Sequence, residues 1–188
     1  MHSLTAITPL GGTSARVDTI GDLTLTENID LALASVHARL CHEEACKEKL
    51  NAQLNAAVPE VGKAVFADPL SAFWTGPDQW MLSAPFESHE TIALDLAPVF
   101  AGIGSVTEQT DAWASFDLTG QSVEAAMELL CGINMRSFGP ADVQRTSIHH
   151  LGCFVLHLEA AQGLRIMGPR ASAGSVHHAI ITAMRSIA

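Results

Sequence analysis

Two rhythms of apolar positions alternate along this chain, and the alternation occurs twice. Ile29, Leu31 and Leu33 alternate with Asp30, Ala32 and Ala34, the period-two pattern of a strand. The period then lengthens. Cys46, Leu50, Leu54 and Ala57 fall on one helical face, Glu43, Glu44, Lys47 and Lys49 fall elsewhere, and Pro59 lies at or just past the helix end. Ala72-Phe73-Trp74 and Trp80-Met81-Leu82 flank Gly76-Pro77-Asp78-Gln79, which predicts a hairpin with proline pre-setting a type I turn. A second helix is expected to start near Ser88 as its cap. It carries Ile92, Leu96, Val99 and Phe100 on one face, with Gly102 and Gly104 punctuating its end.

The same order then recurs. Ala114, Phe116 and Leu118 alternate as a strand, and Thr119-Gly120 turns the chain. Val123, Ala126, Met127 and Leu130 follow helical spacing, with Glu124 and Glu128 off that face. Arg145 to Glu159 reads as one long strand, Gly163 as a turn, and Leu164 to Met167 as a short returning strand. A last helix sets Val176, Ile180, Ala183 and Ile187 on one side. Each half therefore reads strand, helix, two strands, helix, with a final strand that the pattern does not resolve. The predicted fold class is α+β: two tandem ferredoxin-like units of βαββαβ type with antiparallel sheets, residues 18–104 and 105–188. Residues 1–17, rich in Thr, Ser, Gly and Pro, form an arm that either docks or stays mobile.

Composition narrows the function. At 188 residues, with 48% hydrophobic and 16% charged residues, the chain has ample material for a buried core, and general disorder is excluded. The apolar surplus suits either an alanine-rich core or a permanent subunit interface. The formal net charge is −10, with 13 acids and 5 bases in residues 1–104, so a phosphate backbone would be repelled and nucleic-acid binding is not expected. No apolar run reaches the length of a membrane span, and Met1-His2-Ser3-Leu4 lacks the basic region and apolar core of a secretion signal; the expected location is the cytoplasm. The four cysteines, Cys41, Cys46, Cys131 and Cys153, form no Cys-x-x-Cys pair and are expected to be reduced, with Cys131 and Cys153 acting as small apolar residues.

Candidate chemistry is sparse. His149 and His157 share a face of the predicted long strand but lie eight residues apart, too far for one ion at roughly 3.3 Å per residue. His177 and His178 point in different directions on a helix, and Cys41, His42 and Cys46 lack zinc spacing. Gly102-Ile103-Gly104 is too short for a dinucleotide fingerprint, and no nucleophile elbow is present. Asp111 and Asp117 are acid or base candidates by residue type alone, and Asp117 between Phe116 and Leu118 is expected to point off the core or cap the next helix. No catalytic, cofactor-binding or metal-ligating residue is therefore assigned. Two tryptophans flanking one turn are a stronger signal: Phe73, Trp74, Trp80 and Trp113 are either core residues or a partner-docking surface.

Several segments together resemble the gamma subunit of heterotetrameric sarcosine oxidases. They are Trp74-Thr75-Gly76-Pro77-Asp78-Gln79-Trp80-Met81-Leu82, Ser105-Val106-Thr107-Glu108-Gln109-Thr110-Asp111-Ala112, and Phe116-Asp117-Leu118-Thr119-Gly120. Leu129 to Met135, Gln144-Arg145-Thr146 and Gly168-Pro169-Arg170-Ala171-Ser172 fit its later segments, although the family more often has Asp where this chain has Asn134. The resemblance covers residues 65–188 well and the first third only in length and element order. It implies a fold similar to the folate-binding region of glycine-cleavage aminomethyltransferases. It also implies a non-catalytic packing subunit with alpha, beta and delta partners. Those partners would hold NAD, FAD, covalent FMN and zinc, and the complex would oxidise the N-methyl group of sarcosine, passing the carbon to tetrahydrofolate when it is present. The alternatives are a stand-alone folate-dependent aminomethyltransferase-like protein and a small-molecule-binding module.

Overall fold

The computed structural model describes residues 5–158 and 163–188. The chain forms two compact units. One is nearly continuous, Asp30–Asp111 with Ala141–Val143; the other gathers Met1–Ile29, Ala112–Pro140 and Gln144–Ala188. The tandem division at 104/105 expected from element order is thus replaced by an interleaved one, and the reason lies in the sheet topology.

In the continuous unit, β3 (Ala32–Ala38) leads to α1 (Glu43–Leu54), then to the hairpin β5 (Ser71–Gly76) and β6 (Gln79–Ala84), with a two-residue strand β4 (Ala64–Val65) before it. Two short helices, α2 (Phe86–His89) and α3 (Ile92–Leu96), precede β7 (Gly104–Glu108). The strand order is β4-β5-β6-β3-β7, and the pairings are antiparallel. Without the edge strand β4 this is the ferredoxin-like order, and β7 is the fourth strand that the sequence pattern left unresolved. The core contains Cys46, Leu50 and Leu54 from α1 and Ile92, Leu96 and Phe100 from the α3 region, packed on Val36, Trp80 and Leu82.

Three local expectations differ here. The first strand begins at Ala32, is buried through Val36 on both faces, and leaves Ile29 47% exposed, so the alternation at 29–34 does not mark a half-solvated strand. The expected second helix is broken at Glu90–Thr91, and Ser88 lies inside α2 with its hydroxyl turned to the Pro85 carbonyl, so it caps nothing. In the hairpin loop Asp78 has a φ of 52°, the left-handed value that a type I turn lacks.

In the other unit β8 (Trp113–Thr119) leads to α4 (Val123–Leu130), then β9 (Val143–Ile148), β10 (Leu151–Leu158), β11 (Gly163–Pro169) and α5 (Ala173–Ile187). Its fourth strand comes from the opposite end of the chain. β2 (Leu23–Asn28), itself paired with β1 (Val17–Ile20), lies antiparallel to β8 with Thr24 opposite Thr119 and Asn28 opposite Ser115. The order β1-β2-β8-β11-β10-β9 contains the ferredoxin-like order with β2 in the place that would follow α5. Gly21, in the β1–β2 turn, lies against Ala188 at the end of α5. This unit is a circular permutation of the other's topology.

Arg145 to Leu158 is a hairpin, not one strand. His149 and His150 have φ of 49° and 68° and form the two-residue turn, which needs left-handed backbone at both positions. Glu159 lies outside the described residues. The α4 face agrees with expectation, with Val123, Ala126 and Met127 packed on Phe116, Leu118, Cys153, Val155 and Ile166. α5 keeps Val176 and Ile180 of the expected face, but its core stripe continues through Ile181 and Met184, with Ala183 outside that cluster and Ile187 only partly buried. Gly168 permits this approach, because a Cβ there would sit 2.8 Å from Val176 Cγ2.

From Ile7 onward the arm is docked. Glu27, 1% exposed, accepts hydrogen bonds from the amides of Leu10 and Arg16 at 3.0 Å each, and Arg170 donates to the Ile7 carbonyl at 3.1 Å. No described helix is long and apolar enough to cross a membrane.

Candidate functional site

The four candidate docking residues separate into two groups. Trp80 is 3% exposed, belongs to the continuous unit's core, and donates its indole N–H to the Pro59 carbonyl at 3.1 Å. Phe73 is 2% exposed and pairs across the hairpin with Met81 on the face opposite Trp80. Both are closed to a partner, so the docking reading is corrected for them: the aromatic hairpin signal came from residues that fill the fold. Trp74, directly opposite Trp80, and Trp113 remain half-buried. Trp113 belongs to the other unit, where its ring meets Phe154 at 5.2 Å and Arg145 sits 5.7 Å from the Phe154 ring centroid. Its indole nitrogen is buried without a described acceptor.

Two clusters of ionisable groups in the permuted unit are paired internally. Asp117 projects from β8 on the face away from α4 and α5, where β11 sets Arg165 directly opposite. Arg165 holds both its oxygens, at 2.7 and 2.8 Å, and Asn28 of β2 donates to Oδ2 at 2.9 Å. A carboxylate so occupied serves as a brace for three strands and has little capacity left as a base. Asp117 therefore does point off the core, but it does not cap the helix. That part is taken by Asp22, whose Oδ2 accepts the Ser122 amide at 2.7 Å; bonds from Ser122 hold its carboxyl below the usual range.

A second cluster ties β1 to α5. His177 Nε2 lies 2.8 Å from Asp18 Oδ2, and Arg16 donates from Nε to the same oxygen at 2.8 Å. The Arg16 bond, with help from His177, keeps the Asp18 carboxyl below its ordinary value. His177 is 8% exposed with its ring 6.0 Å from Phe116, so the pair resembles a catalytic dyad in chemistry and a strut in position. Among the cysteines, burial pushes the Cys153 thiol up to about 11 and raises Cys46, the reverse of what a nucleophile requires. The described residues contain no group of three metal-ligating side chains. His149, in the hairpin turn, and His157, in β10, are not on one strand as expected.

Sequence reasoning missed one feature. Beside the His149–His150 turn, α4 and α5 leave an open groove of about 430 Å³, lined by Leu129 and Leu130 of α4 and by Ala179, Thr182, Ala183 and Ser186 of α5. His149 and His178 stand at its edge. The signal was Leu129, which falls outside the α4 core stripe and is 59% exposed.

With two ferredoxin-like units, one of them permuted, the chain has the fold shared by aminomethyltransferases and a chain of heterotetrameric sarcosine oxidase. The Corynebacterium sp. U-96 heterotetrameric sarcosine oxidase structure matches with a TM-score of 0.73 at 20% identity, over 87% of this chain and 84% of that one. The glycine cleavage system aminomethyltransferase T of Bartonella henselae matches with a TM-score of 0.67 at 14% identity, over 87% of this chain but only 46% of the enzyme. No protein-family model and no curated protein sequence matches the chain.

Proposed function

We propose that this chain is a gamma-type, non-catalytic subunit of a heterotetrameric flavin-dependent oxidase acting on sarcosine or a related N-methyl amino acid. The observation that supports this most is coverage. The chain matches a sarcosine oxidase chain over most of both lengths, whereas it spans under half of the aminomethyltransferase. The engagement of Asp117 by Arg165 and of His177 by Asp18 fits a scaffold role. On this reading the FAD, FMN, NAD and tetrahydrofolate sites lie on alpha and beta partners, a delta subunit completes the cytoplasmic complex, and this chain organises assembly.

Co-expression with candidate alpha and beta flavoprotein chains, followed by purification through a tag on this chain, tests the reading. The expected result is a yellow complex of fixed stoichiometry that produces hydrogen peroxide from sarcosine. A chain that purifies alone and colourless from such cells overturns it. The folate-dependent alternative rests on the aminomethyltransferase likeness, and tetrahydrofolate binding by the isolated chain would support it.

A further inference from the structure

We propose that the α4–α5 groove is a self-association surface, through which two copies of the chain pair about a twofold axis. Leu129 of each copy would seat over the small residues of the other copy's α5. The inference stands apart from the assignment to an oxidase complex.

The surface carries both halves of an interlocking contact. Leu129 is a projecting leucine, 59% exposed, at the rim of the groove. The floor beside it is made by Ala179, Thr182, Ala183 and Ser186, spaced i, i+3, i+4 and i+7, so the four share one side of α5 and let a neighbouring helix come close. The two hydroxyls are already used within the helix. Thr182 donates to the His178 carbonyl at 2.8 Å and Ser186 to the Thr182 carbonyl at 2.9 Å, so neither requires water as a partner for its proton. A twofold contact demands that one patch contain its own complement, and a knob beside a hole of small residues meets that demand.

Charge selects the second copy over an arbitrary partner. α4 carries Glu124 and Glu128, both exposed, and no base; α5 carries exposed Arg185 and no acid. A twofold axis that lays α4 of one copy over α5 of the next places acids against bases twice. Arg136 already lies 3.7 Å from Glu124, so Glu128 is the acid on which the pairing rests.

Analytical ultracentrifugation of the full chain over a concentration series tests this. The wild type should show a monomer–dimer equilibrium. Leu129→Asp, at an exposed position, should keep the unfolding midpoint and weaken dimerisation by about tenfold or more. Glu128→Arg and Arg185→Glu should each weaken it alone, and mixing the two variants should restore pairing between unlike copies. A wild type that stays monomeric at every concentration overturns the proposal, as does a dimer indifferent to Leu129→Asp or a mixture that does not recover. A yellow hetero-oligomer containing this chain alongside a monomeric free chain would overturn only the self-association and leave the oxidase reading in place.

Discussion

The two units have the same strand order and are held together differently. The continuous unit, with 13 acids and 4 bases, has a net charge of −9; the permuted unit, with 7 and 6, has −1. In the continuous unit the fourth strand, β7, follows α3 through a short tight segment. It is fixed by main-chain pairing with β3, by Phe100 beside it, and just past its end by Thr110, whose Oγ1 accepts the Leu33 amide at 2.9 Å, and Gln109, which donates to Ser35 Oγ at 3.4 Å. Its ion pairs, Lys47 with Glu44 and Asp78 and Lys63 with Asp142, lie at partly exposed positions of modest worth. In the permuted unit the fourth strand, β2, arrives from a distant part of the chain, and side-chain bonds concentrate where it joins. Asp22 holds Ser122, Asn28 holds Asp117, Asp18 holds His177, and Glu27 holds the arm. The entropic cost of closing such a long loop grows only logarithmically, so a few specific bonds suffice to set which strand pairs there. Continuity delivers the fourth strand in one unit, where a few side-chain bonds finish the join, whereas in the other unit polar bonds select a strand from far along the chain.

The largest expected effect removes the apolar anchor of the continuous unit. Trp80→Ala vacates a 3% exposed site and leaves the Pro59 carbonyl without its donor, a loss of about 4 kcal/mol. Urea unfolding followed by Trp113 fluorescence, with Trp74 replaced by Phe, would show whether the permuted unit outlasts the change. Coincident transitions would break the comparison by showing a single cooperative body. Next is Gly120→Ala, at the seam of the permuted unit. Gly120 has a φ of 133°, and a Cβ there would sit 2.3 Å from the Asp22 carbonyl oxygen. The expected cost is about 3 kcal/mol, read by the same urea titration. A change under about 1 kcal/mol would mean that the β1–β2 turn yields without loss and that the seam is not tight.

How much of this was legible depends on sequence distance. Residues three and four apart mark most of the buried faces of α1, α4 and α5: Cys46, Leu50, Val123, Met127, Val176 and Ile180 are buried as the period predicts. By contrast, Ala57 lies beyond the end of α1 and is exposed, and the α5 stripe runs through Ile181 and Met184 instead of Ala183 and Ile187. The pairing of β2 with β8 links Thr24 to Thr119, and no local pattern encodes a partner so far along the chain. The division at 104/105 failed for that reason, and β2 was read as part of the wrong unit. The His149–His150 turn was missed because the two-residue hairpin signal is carried by Asn-Gly, Asp-Gly and Gly-Gly pairs, and a His-His pair, although histidine tolerates positive φ, does not stand out as one. The aromatic hairpin was legible as an element. Its docking role was not, because Trp and Phe enrich cores and interfaces alike, and burial, which separates the two, is a tertiary property.

Asp18 sharpens the comparison through pH. Its carboxyl is held below its usual value by Arg16 and His177, so the charged form stabilises the fold above the carboxylate range of the unfolded chain. That stabilisation is lost as pH falls through the lowered native value. Asp18→Asn should cost about 1 kcal/mol at neutral pH and little in strong acid, where the wild-type carboxyl is also neutral. Thermal melts of both proteins between neutral and acid pH check this. Melting curves that stay a constant distance apart would assign the effect to shape and not to charge.

An equally small effect is expected of Gly102→Ala in the continuous unit, and it isolates what makes Gly120 costly. Gly102 also has a left-handed backbone, with a φ of 84°, but a Cβ there meets nothing within 4 Å. Only the backbone penalty applies, about 1 kcal/mol. The difference between the two glycine substitutions, each measured by its urea midpoint, therefore reports the steric closeness of the β1–β2 turn to the start of α4. Equal losses would show that φ alone sets both costs. A larger loss at Gly120 would locate the tight contact at the junction where the permuted strand is held without a continuous chain to hold it.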